Sequence, residues 1–353
     1  MNGKKQAVLI ISTSTKGKGG IASVIRSYQK HQDRLDYDVR YLYTHIDKSS
    51  IMKILYFIKS LAIVPRYLLD KRFSVFHIHT ASYSSFKRKS TMITLAKRFK
   101  KKVILHVHGA EFMKFYKNLD EKKRNNVSKT LDMPDVIIAL SEEWKKNLSK
   151  ICKNKNILVL HNSVELPEKI DRKNSKKKKF LFLGRLGKRK GVYDLIEAFK
   201  SIPKDMYHLY LGGDGEIDKI KKIVKESGLD ENISVLGWID GKQKESLLRK
   251  ADVYVLPSYD EGLPVSVLEA MSYSLPILST PVGGIPRIVK DKKNGYLVLP
   301  GNISMLRERI KELLDNNTSD LGKESYKMIK DNFDIKNTMA LLNETYGKLQ
   351  ESA

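Results

Sequence analysis

The sequence predicts an α/β protein of two domains, each a sheet wound by helices, and three observations carry that prediction. Short apolar runs recur and pass through a glycine-containing turn into a helical pattern, first at residues 7–12 and again at 180–183. Strand, turn and helix in that order build open α/β sheets. The chain has 353 residues, 41% of them hydrophobic, which is enough for two cores. A polar stretch, residues 165–179, with Pro167 and a lysine run at 176–179, separates the two sets of units. The domains are therefore expected at 1–165 and 180–333, joined by a linker at 166–179, with residues 334–353 as a closing helical segment.

Composition excludes several classes. The longest apolar region, residues 51–69, is interrupted by Lys53, Lys59, Pro65 and Arg66, so it fails as a spanning helix. Residues 1–12 do not read as a signal peptide, since their apolar run continues into a glycine loop. A single cysteine, Cys152, excludes an internal disulfide and a cysteine-cluster metal site, which fits a reducing cytoplasm. The net charge of +26 is uneven: residues 1–170 hold 34 Lys and Arg against 14 Asp and Glu, the remainder 32 against 26. An acidic partner is expected at the N-terminal half; a lysine-rich, merely solvated surface is the bland alternative.

In the first domain, residues 7–12 read as a buried strand, followed by a loop carrying Gly17, Gly19 and Gly20 and a helix from 21 to 30. Strand, glycine loop and helix form a phosphate-binding arrangement in principle, but this is neither a Walker loop nor a complete dinucleotide fingerprint. Asp36-Tyr37-Asp38 precedes a strand at 39–43 without a supporting acidic or histidine cluster, and is read as chance. Residues 51–69 form one or two helices with Ile54, Leu55, Phe57, Ile58, Leu61, Ala62 and Val64 interleaved with lysines. Such a helix can lie on an anionic membrane surface or pack on the sheet with its lysines in water. A strand at 73–80 carries His77 and His79, a basic helix covers 84–102, and a strand at 103–107 ends in His106-Val107-His108-Gly109. A strand at 135–140 then meets Ser141, Glu142 and Glu143, an N-cap followed by early acids.

In the second domain, the strand at 180–183 runs into Gly184-Arg185-Leu186-Gly187-Lys188-Arg189-Lys190-Gly191 and a helix from 192 to 200. A strand ending at Leu211 is followed by Gly212-Gly213-Asp214-Gly215, and one at 233–236 by Gly237-Trp238. Trp238 can stack on a base or serve as a partly buried structural residue. Residues 251–256 form a buried strand whose carboxyl end carries Pro257-Ser258, then Glu261-Gly262-Leu263-Pro264, with Pro264 suited to open a helix. Ligands of open α/β sheets bind at such strand ends, and the glycine lets backbone N–H groups approach them. Glu269 falls one to two turns into that helix among Val267, Leu268, Ala270 and Met271, where a carboxylate needs a partner such as a ligand hydroxyl. Beyond a strand at 276–279, Gly283-Gly284 reads as a phosphate-facing loop and Asn294-Gly295 as a hairpin-like turn. Met339, Leu341, Leu342 and Tyr346 recur at helical spacing near the C-terminus.

Pro-Ser, Glu-Gly-Leu-Pro and a second glutamate with seven residues between Glu261 and Glu269 resemble the signature of the family-four retaining glycosyltransferases of the GT-B fold. The Gly184-Arg185 and Lys190-Gly191 string, the 212–215 glycine turn and His108-Gly109 are similar to that family's other motifs. The resemblance implies two Rossmann-like domains facing across a cleft, with the C-terminal helix crossing back to the first domain. It implies a nucleotide-sugar donor, expected as a UDP-sugar, bound mainly by the second domain. Arg185 and Lys190 would hold the diphosphate, Glu261 with Gly262 and Leu263 the sugar, Glu269 the ribose and His108 the sugar from the first domain. Gly19, Gly20, Gly213 and Trp238 are further donor contacts, with ordinary turn glycines as the other reading of Gly19 and Gly20. The implied reaction is transfer with retained anomeric configuration, without metal or cofactor, by front-face attack.

With the basic N-terminal half, the acceptor is expected to be a glycan or a polyprenyl-diphosphate-linked sugar of cell-surface polysaccharide assembly. The protein would then be cytoplasmic and peripheral on an anionic membrane surface. Two departures from the family pattern stand out: Arg287 where relatives often carry glutamate, and Ser274 where a glycine is usual. A nucleotide-sugar epimerase of the same fold is the alternative, although no separate acid and base pair is visible. A nucleic-acid binder has only charge in its favour, so no nucleic-acid partner is expected. A nicotinamide enzyme lacks the fingerprint.

Overall fold

The structure, a computed structural model, describes residues 6–17, 19–108, 111–168, 170, 176–239 and 241–351. Lys18, Gly109 of the His-Gly pair, and linker residues 169 and 171–175 lie outside them. The chain divides into two compact units: Met1–Ser163 with Ile335–Ala353, and Val164–Asp334.

In unit 1 the chain runs β1 (Ala7–Ser12), α1 (Gly20–Lys30), β2 (Asp38–Tyr43), α2 (Ser50–Leu69), β3 (Phe73–Thr80) and α3 (Ser84–Arg98). It continues through β4 (Lys102–Val107), α4 (Phe112–Lys117), α5 (Glu121–Asp132), β5 (Val136–Ala139), α6 (Glu142–Ser149) and β6 (Ile157–Val159). The six strands pair in parallel in the order β2-β1-β3-β4-β5-β6. The middle strands are covered on both faces, which is why β1 and β5 are almost wholly apolar. The Ser141 hydroxyl accepts from Trp144 N at 3.2 Å and starts α6. The basic helix read at 84–102 is shorter than expected: α3 stops at Arg98, Lys100 takes φ 55°, and Lys102 already belongs to β4.

In unit 2 the order is β7 (Lys178–Leu183), α7 (Val192–Phe199), β8 (Tyr207–Gly212), α8 (Ile217–Glu226), β9 (Ile233–Gly237) and α9 (Gly241–Lys250). Then follow β10 (Val253–Leu256), α10 (Val265–Ser272), β11 (Ile277–Ser279), α11 (Ile285–Ile288), β12 (Gly295–Leu297), α12 (Ile303–Asp315) and α13 (Ser319–Asn332). The sheet is parallel, ordered β12-β11-β10-β7-β8-β9. Strand order therefore reverses between β7 and β10. The crevice outside their carboxyl ends is where a doubly wound sheet takes its ligand.

The last helix, α14 (Ile335–Glu351), belongs to unit 1 and packs against β3. Tyr346 on it bonds His77 Nδ1 of β3 at 2.8 Å. The unit boundary falls at Val164 because its N–H donates to Phe333 O at 2.9 Å and it bridges Asp334. Lys178 and Lys179, read as linker, start β7 instead, and the Lys178 ammonium bonds the carbonyls that end α12.

Three local expectations are corrected. Pro264 is the residue before α10, with ψ 119°, and not its first helical residue. Asn294-Gly295 is no hairpin turn, since Gly295 opens β12, which pairs in parallel with β11. Gly283-Gly284 packs onto protein backbone, as described below.

Candidate active site

The turn that follows β10 in unit 2 is fastened from several directions. Glu261 is 8% exposed, and its Oε1 meets the ammonium of Lys190 and accepts from Ser258 Oγ at 2.6 Å. Ser258 O in turn accepts from Thr280 Oγ1 at 2.5 Å, and Leu256 O from Ser279 Oγ at 2.6 Å. The β7 and β10 turns are also tied by backbone, for Tyr259 N donates to Arg189 O and Arg189 Nη1 to Asp260 O, each at 2.9 Å. Burial pushes the Lys190 amine below its usual range, against the opposing pull of Glu261.

Gly283 and Gly284 explain the remaining support. Gly283 takes φ +54°, and a Cβ there would sit 1.9 Å from Glu261 O. Gly284 N donates to Gly262 O at 2.6 Å. This double glycine therefore carries the Glu261-Gly262 turn on its backbone. It was expected to face phosphate, and that expectation gives way to this packing. Gly213 is likewise pressed on protein: at φ +155° its Cβ would fall 1.8 Å from Gly184 O, beside Arg185.

Arg185, at the carboxyl end of β7, keeps its side chain 70% exposed, with Asp214 Oδ2 4.0 Å from its guanidinium. Two cations of different character thus stand at the switch point: Lys190 buried in an ion pair, Arg185 open to a ligand. Gly262 and Leu263 are half-buried in the same turn. Glu269 has its partner within the protein, because Lys244 of α9 reaches its Oε1 at 2.5 Å. Trp238, just past β9, is 39% exposed.

Unit 1 holds the other predicted residues. Gly19 and Gly20 lie where β1 gives way to α1, and a Cβ added at either would meet nothing within 4 Å. His108, one residue beyond β4, shares a hydrogen bond with His79 Nδ1 through its Nε2 at 2.8 Å. Parallel register places His79 of β3 opposite His106 of β4, so His77, His79, His106 and His108 form one stacked row of imidazoles. Desolvation lowers His77 and His108 to about 3 and leaves all four rings neutral at physiological pH. His77 and His106 are buried. Lys89 of α3 is buried too, bonded to Thr44 Oγ1 and to Ser12 O at 3.3 Å, and burial lowers its amine to about 7.

Sequence reasoning missed Ser258 as the donor to Glu261, Lys244 as the partner of Glu269, and His79 as the partner of His108. Ser258, three residues before Glu261 in a turn, was the one local signal.

Solved structures share this architecture. A sucrose-phosphate synthase from Thermosynechococcus elongatus matches with TM-score 0.81 at 18% identity, over 99% of this chain and 100% of that one. Anabaena HepE, solved with UDP and glucose, matches with TM-score 0.74 at 14% identity, over 98% and 99%. Two parallel six-stranded sheets, each wrapped by helices in this way, define the GT-B fold.

The family model described as glycosyltransferase family 4 matches residues 18–167, and that described as glycosyl transferases group 1 matches 165–333. The chain belongs to this family of glycosyltransferases. An uncharacterized glycosyltransferase of Methanocaldococcus jannaschii is 26% identical over 94% of this chain and 95% of its own length. An uncharacterized 41.2 kDa protein in the cps region of Klebsiella pneumoniae is 30% identical over 67% and 68%. A putative colanic acid biosynthesis glycosyltransferase of Escherichia coli is 25% identical over 53% and 50%.

Proposed function

We propose that this glycosyltransferase moves a sugar from a UDP-sugar to a glycan or a polyprenyl-diphosphate-linked sugar in cell-surface polysaccharide assembly, with retention and without a metal ion. The observation that carries this reading is the fastened Lys190–Glu261 pair at the unit 2 switch point, with Arg185 open beside it. HepE was solved with UDP and glucose, and a relative is named for colanic acid biosynthesis, which supports the donor and the pathway class.

In this reading Arg185 and Lys190 neutralise charge growing on the leaving diphosphate, Arg185 as a fork and Lys190 as a point charge. Glu261, with the Gly262 and Leu263 backbone, holds the sugar hydroxyls, and Ser258 fixes the carboxylate while it does so. Glu269 exchanges part of its bond with Lys244 for the ribose hydroxyls. Gly213 helps shape the diphosphate loop, and Trp238 stacks on the base. Gly19 and Gly20 offer open backbone to phosphate, and neutral His108 is a hydrogen-bond partner for the donor sugar. The anomeric carbon leaves the diphosphate oxygen and bonds to the acceptor oxygen on the same face. The acceptor proton passes to the leaving phosphate. Unit 1 is the acceptor domain, and the protein works peripherally at the cytoplasmic face of an anionic membrane.

The test is turnover of a nucleotide-sugar panel with and without chelator, with the product anomer read by NMR. One donor consumed, chelator-insensitive, with retained configuration is the expected result. Inversion, chelator sensitivity, or donor conversion without acceptor would each overturn the corresponding part.

A further inference from the structure

Six of the large apolar and aromatic side chains exposed among the described residues lie on α2: Ile51, Met52, Ile54, Leu55, Ile58 and Leu69. The helix is apolar on two opposite sides. Ser60, Val64 and Leu68 face the sheet and are buried. The opposite side runs Ile51, Leu55, Ile58, Ala62, Pro65, Leu69, in steps of three and four residues, and all six are exposed. Successive positions at that spacing share one face of a helix. Ile51 and Leu69 are each 71% exposed, so the stripe covers the full 20 residues of α2, about 30 Å. A monomer does not leave so long an apolar row uncovered without a partner.

Its surroundings say which partner. α2 contains no Asp or Glu, and Lys59 and Arg66, both exposed, border the apolar stripe on one side. Residues 1–170 carry 34 Lys and Arg against 14 Asp and Glu. A second copy of so basic a surface would be repelled, whereas anionic phospholipid is attracted. No helix among the described residues is long and apolar enough to cross a membrane, so α2 would lie along the surface.

We propose that α2 is a membrane-docking helix, its apolar face sunk among the acyl chains of an anionic leaflet and Lys59 and Arg66 level with the headgroups. This rests on the membrane-peripheral reading above and names the element responsible.

Flotation of the full chain with phosphatidylcholine vesicles, with and without phosphatidylglycerol, tests it beside Ile54→Ser/Leu55→Ser/Ile58→Ser and Lys59→Glu/Arg66→Glu. All five sites are exposed, so the variants should keep the wild-type circular dichroism and donor turnover. The expected results are salt-sensitive flotation of wild type on anionic vesicles, a loss of about tenfold or more in the triple serine variant, and loss of the anionic preference in the charge reversal. Wild-type flotation retained by the triple variant would overturn the assignment to α2 while leaving the membrane reading intact. No flotation of wild type would overturn both, with donor turnover still testing the transferase. A dimer in light scattering that the triple variant abolishes would overturn lipid in favour of a second copy.

Discussion

Lys190 and Glu261 are 71 positions apart in sequence, yet their side chains form one ion pair, 14% and 6% exposed. Breaking a pair held this far from water strands a charge; removing both members does not. Lys190→Met should lower stability by about 3–5 kcal/mol, and the double variant with Glu261→Gln should regain most of it. Both should lose about a hundredfold or more in turnover. Calorimetry and steady-state kinetics separate the effects: a double variant no more stable than Lys190→Met would show that the pair is not the source of the stability.

Arg185 should separate function from stability. Its side chain is 70% exposed, and its ion-pair contact with Asp214 is a long one, 4.0 Å. Arg185→Ala is expected to keep the wild-type melting temperature while kcat/KM falls about a hundredfold, and Arg185→Lys to recover part of that, having charge without the fork. A fall in melting temperature comparable to that of Lys190→Met would contradict the reading.

The imidazole row makes unit 1 acid-sensitive. His77 and His108 titrate at about 3 in the folded chain, below the ordinary value near 6.5. Between those values the unfolded chain binds protons that the folded chain does not, so stability falls as pH falls from about 6.5 toward 3. Each such imidazole steepens the fall by up to about 1.4 kcal/mol per pH unit. His106 belongs to the same row, and its Nε2 is buried with no hydrogen-bond partner among the described residues. Urea unfolding at several pH values should therefore show a shallower slope in His106→Phe than in wild type. An unchanged slope would remove His106 from the account.

Ser274 has φ 53°, a left-handed conformation that disfavours a side chain. Ser274→Gly should stabilise the chain by about 0.5–1 kcal/mol in urea unfolding, with turnover unaltered. A loss of stability would mean that the serine's own interactions outweigh the strain.

What could be read from the residues was whatever is written locally. Most strands of the two sheets, the glycine turns at their ends, and Glu261, Arg185 and Lys190 announced themselves by pattern, whereas the three-residue strands β6 and β12 did not. Ser274 announced itself as an oddity, and its φ shows why a glycine is usual there. What could not be read depends on distant chain segments meeting. Lys244 is one lysine among many until α9 places it on Glu269. Gly283 resembles a ligand-facing glycine until β11 delivers it against Glu261 O. His79 becomes the neighbour of His108 only through the register of β3 and β4. For α2 the sequence shows apolar residues on two sides, but only packing decides which side is left in water.

Helix α14 gives the molecule an order of completion. A chain made from its N-terminus releases all of β1 to β6 early, but Tyr346, the phenol that bonds His77, emerges only after the whole of unit 2. Unit 2 is continuous and can close on itself during synthesis, whereas the first half to leave the ribosome is the last to be finished. Truncation after Asp334 would therefore harm the part of the protein farthest away in sequence, and any mutation that slows the folding of unit 2 would lengthen the time the nascent unit 1 spends open.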